Sequence, residues 1–281
     1  MVGAARATEF GGMIFGPDET TVGVLGSLRG SEGIRWIRGS SPRIAEFGFK
    51  RLGDVQHLVP LGSRRGTELP ADLLEVFDAC RTNLPPPSAA GEAWEVWNEP
   101  DFHFVSDNAA DMAAVLKAAW WGVKSARPDA TVLMPSLAFR PARYAMELAH
   151  NGLGSWTDGY NLHFYGWAGD YARVLGHHRL LMESMGLRAP VWVTEIGYFQ
   201  LPASGATDPE ALARQAAFHE RVAVESRMAG VHVHAAFSLS PFVDSVWDMG
   251  LTDPAGRWRP GLTALAQVAT RQIGRATCRE R

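Results

Sequence analysis

Residues 94–101 read WEVWNEPD: an apolar, aromatic-rich run that stops on an Asn-Glu pair stiffened by Pro100. A carboxylate taken out of water without a partner is costly or keeps its proton. Glu99 therefore needs either a structural partner or a task that suits a poorly solvated acid. This run, AWEVWNE at 93–99, is one of eight short strand candidates. The others are GGMIFG (11–16), GIRWIRG (33–39), VQHLVPLG (55–62), TVLMPSL (131–137), YNLHFYG (160–166), VWVTEIG (191–197) and VHVHAAFSL (231–239). Helical stretches near 71–82, 107–126, 141–150, 170–186, 208–229 and 260–272 separate most of them. Asp107 or Ser106 can cap the second of these, and Asp208-Pro209-Glu210 reads as a cap followed by proline at the first helical position. Between the first three strands the links are short and glycine-rich, so the helices there are not defined by pattern.

Such alternation predicts repeated βα units around a parallel sheet. Eight units in 281 residues predict a single (β/α)8 TIM barrel over 1–272, close to the ~250 residues typical of that fold, with a polar tail at 273–281. An open doubly wound sheet has the same alternation, but no GxGxxG follows the first strand. With 46% hydrophobic and 20% charged residues the composition is that of an ordinary globular chain. A formal charge of −3 gives no electrostatic reason to expect nucleic acid or an anionic membrane as partner. No run is long and apolar enough to span a bilayer, and the first residues carry no apolar signal core. Cys80 and Cys278 do not suggest a disulfide framework, which leaves the compartment open.

In a barrel of this kind catalytic groups sit at the C-terminal ends of strands. Glu99 closes the fourth strand and Glu195 closes the seventh, so the two face each other across the mouth. Glycoside hydrolysis needs two carboxylates so arranged. WNEPD at the end of strand four, HFYG on strand six and TEIG at the end of strand seven resemble the clan A glycoside hydrolases. WEVWNEPD is most similar to families 39 and 51, and HFYG with TEIGY is also similar to family 5. The resemblance implies a retaining β-glycosidase without metal or organic cofactor, acting on a carbohydrate. Glu99 would be the general acid/base and Glu195 the nucleophile. Asn98 would bond the sugar 2-hydroxyl, Tyr165 would donate to Glu195, His163 would line the floor and Arg38 would lie under the nucleophile. Such a pair needs an ionised Glu195 beside a protonated Glu99, and hence different surroundings for each.

Period-two alternation puts Asn161, His163 and Tyr165 on one face of strand six, and Val193 with Glu195 on one face of strand seven. Asn98 and Glu99 are adjacent, so both reach the cleft only if the strand bulges at 97–100. Clan A enzymes usually carry a Trp at the end of strand eight as the sugar floor, whereas here that strand reads AAFSLSPF. Either Trp247 folds back to replace it or the floor is different. Trp167 and Trp247 are the leading stacking candidates among the mouth aromatics Phe102, His103, Phe104, Trp167, Tyr198, Phe199, Phe242 and Trp247. Trp120-Trp121 reads as core and His177-His178 as a solvated helix face. Two rival functions remain. His232 and His234 have metal-ligand spacing and, with Asp244, would suit a metal-dependent hydrolase, while a catalytically inert barrel could bind carbohydrate with the same aromatics. The short loops favour an open groove and internal attack.

Overall fold

The computed structural model describes residues 7–271 except 17, 32, 61–66, 139–141, 204–206 and 244–245. Asp244, Cys278 and the tail at 273–281 therefore lie outside the described residues. The strands are β1 (Glu9–Met13), β2 (Ile34–Arg38), β3 (Lys50–Asp54), β4 (Glu92–Glu95), β5 (Thr131–Leu133), β6 (Tyr160–Phe164), β7 (Val191–Ile196) and β8 (Val233–Ala236). They run in the order β5-β4-β3-β2-β1-β8-β7-β6, with every ladder parallel. Parallel bridges Leu133↔Gly159 and Leu137↔Leu162 join the two outer strands. The sheet thereby closes into the TIM barrel that the strand count predicts.

Helices α1 (Asp18–Leu28), α2 (Arg43–Glu46), α3 (Leu73–Thr82), α4 (Ala109–Ala126), α5 (Ala142–His150), α6 (Tyr171–Ser184), α7 (Pro209–Met228) and α8 (Pro260–Thr270) surround it. Asp208 caps α7 by accepting from the Glu210 N–H, with Pro209 at the first helical position, as the sequence predicts. The cap of α4 is Asn108 rather than Asp107 or Ser106: its Oδ1 accepts from the N–H groups of Ala110 and Asp111. Asp107 instead accepts from the Leu69 N–H at 2.5 Å, so it ties the preceding loop to the helix start. The third strand is KRLGD at 50–54, and most of VQHL is a 3-10 turn at Val55–His57. Asp54 drives this change by accepting from the Gln56 N–H and turning the chain out of the ladder.

Side chains alternate cleanly below the site. Trp36, Leu52, Ala93, Leu133, Trp192 and Val233 form one interior cluster. Trp36 and Trp192 belong to strands separated by β1 and β8, yet their rings meet edge-on at 5.0 Å, a contact that crosses the barrel. Val96, Val132, Leu162, Phe164 and Val193 belong to the larger cluster with Leu116 and Val222 of the surrounding helices. This stacked arrangement makes the lower barrel a packed floor rather than a pore.

Two expectations about helix faces are corrected. His178 is fully buried and its Nδ1 meets the Tyr160 hydroxyl at 2.7 Å, because β6 brings a buried phenol that needs a partner. Trp121 is 48% exposed, although Trp120 is partly buried against the core. Behind β8, His219 and His234 are both buried, and burial lowers each imidazole pKa to about 3. Both are therefore neutral in the fold. Between pH 6.5 and about 3 the unfolded chain binds protons that these two refuse, so stability falls as pH falls across that window. One such group contributes at most about 1.4 kcal/mol per pH unit. Neither ring nitrogen of His219 has a partner among the described residues. Replacing His219→Leu is expected to flatten the acid side of a urea-unfolding series by up to that slope, whereas an unchanged slope contradicts a buried neutral imidazole.

Candidate active site

The WNEPD turn is where regular alternation ends. Trp97 and Glu99 both adopt positive φ, 70° and 42°, the irregularity expected at 97–100. Neither residue is glycine, so the left-handed backbone here is strained and must be held by its surroundings. The Glu99 N–H donates to Ser136 Oγ at 3.3 Å, and both oxygens of Asp101 accept from the Ala138 N–H at 3.0 and 3.1 Å. Phe102 N–H closes the turn on the Glu99 carbonyl. Asp101 thus pins the turn to the segment that follows β5, a role that its place in the motif did not announce. The result is that Asn98 and Glu99 both line the same cavity.

Beneath them lies a buried charge cluster. Arg38, at the end of β2, extends Nη2 to Glu95 Oε1 at 2.6 Å and Nη1 to Glu195 Oε1. Its Nη2 also reaches Asn98 Oδ1 at 3.4 Å. Burial opposes the Arg38 charge, but Glu95, Glu195 and Asp54 outweigh that cost and hold the guanidinium firmly protonated. Glu95 is completely buried, and burial likewise opposes its charge; Arg38 first, then His163, keep its carboxyl below the usual range. Asp54 also lies near Arg38. Withdrawal from water and the nearby Glu95 raise its carboxyl pKa despite Arg38.

Strand β6 delivers the remaining groups from one face, as alternation predicts. Asn161 Nδ2 donates to Glu95 Oε2 at 2.8 Å, and His163 Nδ1 meets Glu99 Oε1 at 2.7 Å. Tyr165 donates to Glu195 Oε2 at 2.5 Å. Burial disfavours a charge on His163, yet Glu195, the bond with Glu99 and Glu95 together raise its pKa. Gly197 makes room for the phenol: a Cβ there would lie 2.1 Å from the Tyr165 ring. The glycine of TEIG is therefore a spacing requirement of the site.

Strand β7 does not obey the alternation expected of it. Thr194, not Val193, faces inward beside Glu195; its hydroxyl lies 2.9 Å from Asn161 Oδ1 and 3.0 Å from His163 Nε2. Val193 packs outward in the helix-facing cluster. The β7–β8 ladder shifts register between Val193 and Ile196, and the β6–β7 ladder shifts between Leu162 and His163. That bulge turns Glu195 back into the barrel. Glu95 and Thr194 are the functional neighbours the sequence reading missed. A Glu at the centre of the apolar run AWEVW was their one visible signal.

The cavity above the cluster measures about 770 Å³ and is lined by Arg38, Asp54, Asn98, Glu99, Tyr165 and Glu195. Phe15, Phe237 and Phe242 form one wall, with ring centroids 4.7–5.2 Å apart, and Phe237 lies edge-on to Tyr165 at 5.5 Å. Phe102 and Phe104 line another part. Phe237 directly follows β8, so this cluster, and not Trp247, lines the cavity at the end of strand eight. Trp247 and Trp167 are not among the cavity-lining residues. They flank Phe199 at 6.4 and 6.3 Å, and Trp167 is 62% exposed. Of the other mouth aromatics, Tyr198 is buried against Phe218 and His103 is exposed beside Phe102.

His232 and His234 do not converge on one point. His232 lies at the opposite end of the barrel against Trp192, in a separate hollow of about 660 Å³, while His234 Nδ1 meets Ser226 Oγ of α7 at 2.8 Å. Glu99, His163 and Glu195 do place ligand atoms within 4.8 Å of one another. A cation there would have to displace Arg38 and Tyr165 from the two Glu195 oxygens.

No protein-family model and no curated protein matches the chain. Solved structures do share its fold. A glucosidase from Croceicoccus marinus gives a TM-score of 0.69 at 16% identity, covering 95% of this chain and 68% of that one. The GH53 catalytic domain from Ignisphaera aggregans gives 0.63 at 17%, covering 95% and 98%. A GH128 endo-β-1,3-glucanase from Amycolatopsis mediterranei, in complex with laminaripentaose, gives 0.58 at 18%, covering 93% and 99%. The barrel is thus similar to those of several glycoside hydrolases.

Removing the shared cation leaves two buried carboxylates without a counter-charge. Arg38→Met is expected to cost about 3–5 kcal/mol at pH 7.5. The deficit should shrink at pH 5, because protonation of the orphaned carboxyls relieves it. Urea unfolding at the two pH values reads this, and equal deficits would contradict the charge cluster.

Proposed function

We propose that this protein is a retaining β-glycoside hydrolase in which Glu99 is the acid/base and Glu195 the nucleophile. The observation that carries the reading is the pairing of these carboxylates across one cavity, with oxygen atoms no more than 4.8 Å apart. Retaining enzymes hold their carboxyl groups ~5–5.5 Å apart, whereas inverting ones leave ~6.5–9.5 Å for a water. The close spacing supports double displacement. The unlike partners of the two groups support the division of labour, since Glu195 is held by a cation and a phenol, whereas the His163 imidazole bonds Glu99 at 2.7 Å and stands back from Glu195 at 3.4 Å.

In the first half-reaction a Glu195 oxygen attacks the anomeric carbon while Glu99 gives its proton to the departing glycosidic oxygen. In the second, Glu99 takes a proton from water, the resulting hydroxide bonds to the anomeric carbon and the bond to Glu195 breaks. Asn98 accepts from Arg38 through Oδ1, which leaves Nδ2 to donate to the sugar 2-hydroxyl. The Phe15, Phe237 and Phe242 wall offers apolar faces to the ring. Trp167 and Trp247, joined through Phe199 near the mouth, would bind sugar units beyond the cavity, as an endo-acting enzyme with an open groove requires. The motifs ally the site with families 39 and 51, and with family 5 through HFYG and TEIGY.

Turnover of aryl β-glycosides by Glu99→Ala and Glu195→Ala, with and without chelator, tests the assignment. Activity should fall at least about 100-fold in both variants, without any effect of chelator. Azide should restore part of the Glu99→Ala rate on a substrate with a good leaving group. Full activity in either variant would overturn the roles.

A further inference from the structure

The two catalytic carboxylates are not independent of each other beneath the cavity floor. Glu95 has no exposed surface, is absent from the cavity lining and therefore does not touch a sugar. Yet its two oxygens lead to the two glutamates by two routes, which come near each other at His163, whose Nε2 lies 3.8 Å from Glu95 Oε1 and whose Nδ1 lies 3.4 Å from Glu195 Oε2. From Oε1 the route is Arg38 Nη2 at 2.6 Å, then Arg38 Nη1 to Glu195. From Oε2 it is Asn161 Nδ2 at 2.8 Å, Asn161 Oδ1 to Thr194 Oγ1 at 2.9 Å, Thr194 to His163 Nε2 at 3.0 Å, and His163 Nδ1 to Glu99 at 2.7 Å.

We infer that Glu95 is a positioning residue for both catalytic glutamates, orienting Arg38 under Glu195 and fixing the direction of every hydrogen bond on the route to Glu99. The inference rests on the glycosidase reading of the site and extends it one layer inward. An ionised carboxylate only accepts, so Asn161 must present its amide nitrogen to Glu95 and its oxygen to Thr194. The Thr194 hydroxyl then donates to Asn161, and its oxygen is left to accept from His163 Nε2–H. With Nε2 carrying a proton, Nδ1 of a neutral imidazole has only a lone pair. The bridge to Glu99 then holds one proton, which resides on Glu99 or, as imidazolium, on His163. The acid/base is thereby supplied with a proton from below.

A neutral amide in place of Glu95 removes that direction. Its nitrogen can donate to Asn161 Oδ1, which turns the Asn161 amide, reverses the Thr194 hydroxyl and leaves His163 Nε2 as an acceptor. Nδ1 would then keep its proton against Glu99. The charged and titratable groups around Glu95 and its partners are Arg38 from β2, Asp54 from β3, Glu99 beyond β4, His163 from β6 with Tyr165 just beyond it, and Glu195 from β7. Loss of one negative charge among them eases ionisation of the remaining acids, so the pH profile moves in the acid direction.

The test is Glu95→Gln in the full chain, with folding checked by circular dichroism, read in two ways. Nitrogen-15 NMR of His163 without substrate should show an Nε2-bound proton in the wild type and a shift toward Nδ1 in the variant. On aryl β-glycosides kcat should fall at least about tenfold, with KM within about threefold and an acid-shifted kcat/KM profile. Glu95→Asp, which keeps the charge, should restore the profile. A folded Glu95→Gln protein with unchanged His163 signals and an unchanged profile overturns the inference. Should Glu95→Gln not fold, Thr194→Val cuts the Glu99 route alone, and unchanged His163 signals there overturn it equally. If the wild type hydrolyses no glycoside, the functional reading fails, while the nitrogen signals still decide the part played by Glu95.

Discussion

A single guanidinium, that of Arg38, lies buried between Glu95 and Glu195, and the upper barrel is arranged around it. Three charges in a dry interior are tolerated only when each is paired and its remaining hydrogen-bonding atoms are largely satisfied. Glu95 meets this demand with Asn161, and Glu195 meets it with Tyr165. The strands beneath can therefore be apolar and closely packed, with Trp36 against Trp192 across the interior, because the charge is confined to one layer. The same confinement leaves both Glu195 oxygens oriented at the floor of the cavity.

Above that layer the strands depart from regularity at the two places where chemistry is proposed. The chain enters left-handed backbone at Trp97 and Glu99, and β7 shifts register between Val193 and Ile196. A regular strand would send one of Asn98 and Glu99, and one of Thr194 and Glu195, outward among the helices. The strain is held locally by Ser136 and Asp101 at the first site, and the phenol beside the second needs the missing side chain of Gly197. Irregularity that its neighbours hold in place is common where a site needs pre-organised groups.

The barrel was legible because seven of its eight strands carry enough apolar residues to stand out, and because Asp208-Pro209 marks a helix start unambiguously. KRLGD was not legible as a strand. Of its five residues only Leu52 is apolar, and its burial depends on contacts such as that of Arg51 Nη1 with the Pro86 carbonyl, far along the chain. Glu99, Glu195, Asn98, Arg38, His163 and Tyr165 are brought together as the motifs implied, and the adjacency of Asn98 and Glu99 was enough to foresee the bulge. Glu95 and Thr194 escaped notice because their partners come from other strands, and only the register unites them. The place of Phe237 in the wall escaped notice for a related reason: Trp is the conspicuous letter, but the chain direction after β8 brings Phe237 and Phe242 to the cavity and leaves Trp247 outside its lining.

As the proposed nucleophile of a double displacement, Glu195 would form a covalent bond to the sugar during turnover. Incubation with activated 2-deoxy-2-fluoro-β-glycosides of gluco, xylo and manno configuration, followed by peptide mass spectrometry, tests it directly. A stoichiometric fluoroglycosyl adduct on the peptide that contains Glu195 is expected, together with loss of activity. Release of the inverted anomer without any adduct, or an adduct on a different residue, would contradict it.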